Sequence, residues 1–276
     1  MLQTGMVPID RISWEGALKA QRGDVIAFVG GGGKTTSLLA AATELARCHR
    51  RILVSTTTKM WPPPSMPCLL TTDRDWQIKL ESAFSESAVA CLAGGRSDTG
   101  KLTGADPETL CRLLTLRSAD VVLVEADGAA KRPLKVHGPN EPVVPTCATI
   151  VVVIAGLDAL GRRVDDTVIH RFDAFSRATR VAADATVTPD LVASVLERAA
   201  GVATAPMTRG AGAPAAPRVS FVLNKAETPD LRAQGREIAR LLAGSSPTWT
   251  VLLASYGRVL EVGGERVPSG GSRIGA

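Results

Sequence analysis

The stretch DVIAFVGGGGKTT, from Asp24 to Thr36, decides the fold of this chain. It begins with an apolar run typical of a buried β-strand and continues through four consecutive glycines into Lys-Thr-Thr. Apolar residues at helical spacing follow at once, from Leu38 to Leu45. A strand, a glycine-rich turn and a helix N-terminus in this order predict a phosphate-binding loop.

The chemistry of such a loop depends on its backbone and on its first helical side chains. Glycines have no Cβ atoms, so their N–H groups can closely approach a polyphosphate. Lys34 is predicted to bridge the β- and γ-phosphates as a catalytic residue, and the Thr35 hydroxyl is predicted to ligate Mg²⁺. The predicted nucleotide-binding residues of the loop are Gly30, Gly31, Gly32, Gly33, Lys34, Thr35 and Thr36. The expected cofactors are therefore ATP or GTP together with Mg²⁺.

One feature departs from the usual spacing G-x-x-x-x-G-K-[ST]. That spacing places its first glycine at position 28, which here is Phe28. The alternative interpretation is a glycine-rich hinge that happens to precede Lys-Thr. A hinge needs neither a buried strand before it nor an amphipathic helix after it, so the phosphate loop is favoured.

Composition excludes several classes of protein. The chain has 276 residues, a net charge of +5 with both signs interleaved, and only 4% aromatic residues, which disfavours a nucleic-acid partner. No apolar run reaches membrane-spanning length. The five cysteines form no C-x-x-C pair, and their odd number favours a reducing compartment, so we expect a cytoplasmic protein.

Apolar strands alternate with helical patterns along most of the chain. This alternation predicts an α/β fold like that of P-loop NTPases, with a mostly parallel sheet and helices on both faces. We expect a single domain over residues 1–267, a flexible loop at about 203–217, and a flexible tail over 268–276.

Two carboxylates end the clearest strand, which runs from Asp120. Glu125 and Asp127 leave the predicted sheet where Mg²⁺ would lie, and hard carboxylate oxygens suit that ion. We predict that both residues are catalytic and that, with Thr35, they form the metal site.

Polar loops at other strand ends are candidates for binding a second substrate. Their residues also fit solvated turns or structural hydrogen bonds, and both interpretations stay open. The candidate substrate residues are Thr57, Lys59, Lys135, Glu141, His170 and Arg171.

A later strand ends in Asn224-Lys225-Ala226-Glu227. This resembles the N-K-x-D signature with which GTPases bind guanine, with Glu227 where Asp is usual. We therefore predict that Asn224, Lys225 and Glu227 contact the nucleotide base, while ATP and GTP both stay open. The alternative is a helix start, which Asn and Thr-Pro-Asp also favour.

Several motifs in one order resemble the YqeC family, which is associated with selenium-dependent molybdenum hydroxylases. They cover most of the chain: VGGGGKTT (Val29 to Thr36), VSTTTKM (Val54 to Met60), KLTG (Lys101 to Gly104), VEADGAAKRPLK (Val124 to Lys135), NEPVVP (Asn140 to Pro145), GLDALG (Gly156 to Gly161), VIHR (Val168 to Arg171) and LNKAE (Leu223 to Glu227).

The resemblance implies a cytosolic accessory factor in the maturation of a selenium- or molybdenum-containing cofactor. Its implied partners are a nucleoside triphosphate and either a cofactor intermediate or a hydroxylase. As an enzyme it would be a Mg²⁺-dependent NTPase or a small-molecule phosphotransferase. The alternative is a nucleotide-gated switch or chaperone with little intrinsic catalysis.

Overall fold

A large sheet carries the predicted phosphate-binding loop, called the phosphate loop below, near its centre. The computed structural model describes residues 7–8, 13–64, 66–179, 181–182, 184–205 and 216–263. Its strands are β1 (Val7–Pro8), β2 (Val25–Gly30), β3 (Ile52–Thr56), β4 (Cys68–Leu70), β5 (Val89–Ala93), β6 (Gly95–Arg96), β7 (Leu102–Thr103), β8 (Val121–Glu125), β9 (Leu134–Lys135), β10 (Ile150–Gly156), β11 (Ile169–His170), β12 (Arg218–Asn224), β13 (Thr250–Ser255) and β14 (Arg258–Gly263). Ten of them form one sheet in the order β1-β14-β13-β12-β10-β2-β8-β3-β5-β4, while β9 pairs with β11 and β6 with β7.

The strands from β13 to β4 in this order are all parallel to their neighbours. Among the described strands of this sheet, only the β13–β14 and β14–β1 pairs are antiparallel. The predicted α/β fold with a mostly parallel sheet is therefore confirmed. From β2 the chain moves to one side of the sheet, and from β8 it returns to β10 on the other side of β2. The carboxyl end of β2 thus lies at a switch in strand order, where open parallel sheets bind ligands.

Helices cover both faces of the sheet. They are α1 (Trp14–Leu18), α2 (Lys34–Leu45), α3 (Trp76–Glu86), α4 (Pro107–Thr115), α5 (Phe172–Thr179), α6 (Pro189–Thr204) and α7 (Pro229–Ser245), with a 3₁₀ turn at Leu157–Ala159. Alternate residues of β2 point to opposite faces: Val25, Ala27 and Val29 join the core under α3, α4, α6 and α7, whereas Ile26 and Phe28 join the core under α1 and α2. Position 28 is therefore a core position of the strand and not part of the loop.

Three helices begin with the same N-terminal capping pattern. The side chains of Asp106, Thr188 and Thr228 each accept a hydrogen bond from the backbone three residues on, and a proline follows each cap at the start of the helix. The cap satisfies an otherwise unpaired N–H group, and proline loses nothing where no helical N–H bond is needed. These starts are therefore fixed locally by sequence.

The structure differs from the expectations in several details. The antiparallel strand β14 and the short strand β4 were not predicted, and α6 extends through Thr204 into the loop expected at about 203–217. Residues 206–215 of that loop and the tail at 268–276 lie outside the described residues. Cys111 and Cys147 form a disulfide, which the expectation of reduced cysteines did not include. Within the described ranges, no helix combines the length and apolar character needed to cross a membrane.

Candidate functional site

The phosphate loop has a backbone that its glycines permit. Gly32 and Gly33 have φ angles of 78° and 125°, in the region that side chains with a Cβ rarely adopt. A Cβ atom at Gly33 would lie 2.2 Å from Nδ2 of Asn224, so the space there also requires glycine. The helix α2 begins at the next residue, Lys34.

Protein atoms already accept three of the N–H groups in the loop. The N–H of Gly30 donates to the Asp127 carboxylate, and those of Gly31 and Gly32 donate to the carbonyls of Ile154 and Arg132, all at 2.9 Å. These bonds fix the loop from three sides. The first-turn N–H groups of α2 have no partner within the helix, so they are the donors best placed for a phosphate.

Asp127 is the centre of a buried charge cluster. Its Oδ1 lies 3.0 Å from Nζ of Lys34, and the two side chains are 0% and 4% exposed. Its Oδ2 lies 2.6 Å from Nε2 of His137 and 3.5 Å from Nζ of Lys135. Burial opposes ionisation, but Lys34 and the hydrogen bond from His137 outweigh it, so the pKa of Asp127 lies well below its ordinary value.

The cluster continues toward the surface through Lys135. This ammonium donates to the Gly128 carbonyl and lies 3.0 Å from Oε2 of Glu141, which in turn accepts from Nε of Arg171 at 2.8 Å. Burial raises the pKa of Glu141, but hydrogen bonds from Arg171 and Lys135 lower it to about 2. A row of alternating charges therefore links the phosphate loop to the exposed Arg171.

Thr35 and Glu125 form the second polar contact of the loop. Oγ1 of Thr35 donates to Oε2 of Glu125 at 2.6 Å. Desolvation raises the pKa of Glu125, and the attraction of Lys34 offsets this only in part. A hydroxyl and a carboxylate in contact beside the loop are the oxygen donors that Mg²⁺ prefers.

The second predicted metal carboxylate, Asp127, has a different environment. Its Oδ1 has no hydrogen-bond partner within the described part of the chain, only the ion contact with Lys34. It can therefore accept a bond from a metal-bound water. The described residues contain no group of three or more His, Cys, Asp or Glu side chains that could hold a metal.

The residues predicted to contact the base lie at the end of β12, beside the loop. Nδ2 of Asn224 donates to the Gly32 carbonyl at 2.8 Å. Nζ of Lys225 lies 2.6 Å from Oδ2 of Asp158, and Glu227 accepts from the Ser255 hydroxyl at 3.1 Å. The structure thus brings this strand end to the loop, while base contact stays a prediction.

The remaining predicted substrate residues are not gathered into one group. Oγ1 of Thr57 donates to the Val143 carbonyl at 2.7 Å, and Lys59 is exposed. His170 pairs with Lys135 across the β9–β11 ladder. Burial lowers the pKa of His170, and the nearby Lys135 ammonium adds to this effect, so the neutral imidazole is favoured.

His137 is the site residue that sequence reasoning left without a role. The sequence feature that could have indicated it is the two-residue spacing from Lys135. Lys135 and His137 flank the buried Val136, so their side chains leave the extended chain on one side, toward Asp127. That alternation is short and follows no long strand, which is why the pattern alone did not single it out.

A cavity of about 290 Å³ lies away from this site. It opens at the amino ends of β2, β3 and β8, whereas the phosphate loop lies at their carboxyl ends. Its lining residues are Arg22, Cys48, His49, Arg50, Arg51 and Asp120. It is therefore not the predicted nucleotide site.

Comparison with known proteins gives two matches. The family model described as YqeC protein matches residues 26–173, which include the phosphate loop, Glu125 and Asp127. The uncharacterized protein YqeC of Escherichia coli (strain K12) is 34% identical over 177 residues, which cover 63% of this chain and 68% of that protein.

Proposed function

Because this chain belongs to the YqeC family, we propose for it the function that its site supports best: binding of a nucleoside triphosphate with Mg²⁺ and reaction at the γ-phosphate. The contact between Thr35 and Glu125 carries this proposal. In this contact a hydroxyl and a carboxylate, oxygen groups that suit Mg²⁺, lie beside a glycine loop and the N-terminus of a 12-residue helix. Helix, loop and oxygen donors together suit a metal-bound polyphosphate.

Lys34 acts in this proposal by exchanging partners. Without ligand its ammonium donates to the Gly30 carbonyl at 2.6 Å and pairs with Asp127. A γ-phosphate at the helix N-terminus competes for the same ammonium. Asp127 keeps two partners when Lys34 turns away, because Lys135 and His137 remain beside its other oxygen. The exchange therefore leaves no buried charge unpaired.

Thr35 and Glu125 are the residues that would hold Mg²⁺, with Asp127 oriented toward its water shell. When bound, the ion would supply positive charge that neutralises the charge developing on the phosphate in transfer. Burial raises the pKa of Glu125 in the absence of the ion, because it disfavours the charged carboxylate. A nearby cation would favour the ionised form instead.

The wider role that we propose rests on the resemblance to this family. We propose an accessory function in maturing a selenium- or molybdenum-containing cofactor, by hydrolysis or by phosphoryl transfer. Its support is the resemblance together with the polar loop from Lys135 to Glu141, which contacts Asp127 beside the glycine loop. A rigidly placed loop of this kind would position an acceptor for transfer.

The row of charges favours a second candidate function, a nucleotide-gated switch. The ion pairs run from Lys34 through Asp127, Lys135 and Glu141 to Arg171. Loss of the Lys34 contact on nucleotide binding would change the charge balance along this row. A partner that contacts the exposed Arg171 could then sense the nucleotide.

Calorimetric titration with ATP and GTP, with and without Mg²⁺, tests the nucleotide proposal. The wild-type protein should bind, and Lys34→Ala should lose binding, because the ammonium that neutralises the phosphates is gone. Lys79→Ala is the matched control, since it removes an exposed lysine on α3 and should bind like wild type. Equal affinities of wild type and a folded Lys34→Ala variant would refute the phosphate loop.

Turnover then separates the two candidate functions. An enzyme should show phosphate release or transfer that rises with a small acceptor, whereas a switch should turn over slowly until a protein partner is added. The Arg171→Ala variant should lose only the response to a partner if the switch is correct.

A further inference from the structure

The carboxyl ends of β12 and β13 carry a second polar cluster beside the phosphate loop. The Ser255 hydroxyl donates to Oε1 of Glu227 at 3.1 Å, and Nζ of Lys225 lies 2.6 Å from Oδ2 of Asp158. Tyr256, the only tyrosine of the chain, follows β13 directly and is 83% exposed. These side chains present an acceptor carboxylate, a lysine stem and an aromatic ring at one edge of the sheet.

The backbone at both strand ends is strained. Lys225 and Tyr256 have φ angles of 64° and 47°, in the left-handed region that residues other than glycine rarely adopt. The turn after Tyr256 is held firmly: the buried Nε1 of Trp14 donates to the Gly257 carbonyl at 2.7 Å. Strain that the surrounding structure maintains is concentrated at functional sites.

Asn224 joins this cluster to the phosphate loop. It is only 4% exposed, and its Nδ2 donates to the Gly32 carbonyl. Its Oδ1 is buried and has no hydrogen-bond partner among the described residues. A buried polar atom without a partner is costly, so this oxygen points to a ligand that lies between the loop and the strand end.

Resting on the proposed nucleotide function, we propose that the base seat, formed by Lys225, Glu227, Ser255 and Tyr256, holds the base of the nucleotide and selects guanine over adenine. The Glu227 carboxylate is an acceptor and keeps free lone pairs after its bond with Ser255. Guanine presents two adjacent donors there, its N1–H and its exocyclic amine. Adenine presents the acceptor N1, which the carboxylate repels.

The other members of the base seat act on the faces of the base. The exposed ring of Tyr256 can stack on any base, which contributes affinity without selecting one. The ion pair with Asp158 holds the Lys225 ammonium, so that its methylene stem is positioned as an apolar surface. Selectivity is therefore assigned to Glu227 and general affinity to Tyr256.

A competition experiment tests the assignment. We expect wild-type protein to bind GTP at least about tenfold more tightly than ATP, as a well-placed bidentate contact to a base discriminates. In Glu227→Gln this preference should largely vanish. The same variant should bind XTP about tenfold more tightly than wild type does, because the new amide can donate to the carbonyl that replaces the amine of guanine.

Two further variants make the outcome decisive. Glu237→Gln removes an exposed carboxylate on α7 and should keep the wild-type preference. Tyr256→Ala should weaken GTP and ATP alike by about tenfold. Equal binding of GTP and ATP by wild type, or no gain for XTP in Glu227→Gln, would overturn the base seat. If nucleotides bind in a Lys34-dependent manner in either case, the proposed function still stands.

Discussion

The buried pair of Lys34 and Asp127 leads to a quantitative prediction about stability. We expect Asp127→Asn to lower the free energy of unfolding of the nucleotide-free protein by about 3–5 kcal/mol, the cost typical of breaking a buried ion pair. The substitution keeps the size of the side chain and removes its charge. Two ammonium groups, at 3.0 and 3.5 Å, then lose their common counter-charge.

The expected loss of stability is the difference between the attraction within the ion pairs and the cost of desolvating their charges. At an effective dielectric constant of about 20, each ammonium at these distances attracts the carboxylate by about 5 kcal/mol. Desolvation of the three buried charges cancels much of this sum. Lys135 keeps Glu141 as an ion-pair partner in the variant, whereas Lys34 keeps, within the described part of the chain, the Gly30 carbonyl as its hydrogen-bond partner and the weaker attraction of Glu125. The net loss therefore stays within the range for one broken pair.

Urea denaturation at pH 7, followed by circular dichroism, is the appropriate assay. The chain offers a matched control, because Nζ of Lys79 also lies 3.0 Å from a carboxylate oxygen of Asp75, with both side chains about half exposed. Asp75→Asn should leave stability nearly unchanged, since solvent screens such a pair. The double variant Lys34→Met with Asp127→Asn should recover part of the loss. A loss below about 1 kcal/mol for Asp127→Asn would refute the argument from burial.

Two further predictions concern the other carboxylates. Glu125→Gln should raise the free energy of unfolding at pH 7, measured by denaturation, because burial raises the pKa of Glu125 and disfavours its charged form. The same variant should lose the Mg²⁺ dependence of nucleotide binding, measured by calorimetry. The pKa of Glu141 falls from 4.5 to about 2 on folding, so its contribution to stability is complete above pH 4.5 and is lost as the pH falls toward 2. Across that pH range, the free energy of unfolding should fall less steeply for Glu141→Gln than for wild type. Equal pH dependences would contradict the role of Arg171 and Lys135 in lowering the pKa of Glu141.

Much of the framework could be predicted because it depends on local patterns. The continuous apolar runs and the glycines after Val29 gave the parallel strands and the loop. Glu125 could be placed beside that loop because it ends a strand that pairs with β2, where it lies opposite Phe28. The type of the residue, its position at a strand end and the pairing of that strand with β2 were sufficient to place Glu125 beside the loop.

The partners within the site could not be predicted in the same way. Asp127 was expected at a metal, yet its carboxylate contacts Lys34, Lys135 and His137. Which cation reaches a buried carboxylate depends on how the segment after β8 folds back over the loop. No spacing along the sequence determines that path. The strand β14 was missed for a related reason, because its pairing with β13 follows from the turn at Tyr256 and Gly257.

The bonds that fix the phosphate loop also determine when it can form. Gly30 bonds to a residue 97 positions later in the chain, and Gly32 bonds to one 192 positions later. Contacts of such long range form slowly and late in folding. A nascent chain that has just emerged through α2 therefore carries the whole glycine motif but cannot yet hold its shape. The proposed nucleotide binding would thus report that β12 has joined the sheet, and a ligand bound only to that finished state would stabilise the entire chain and not the loop alone.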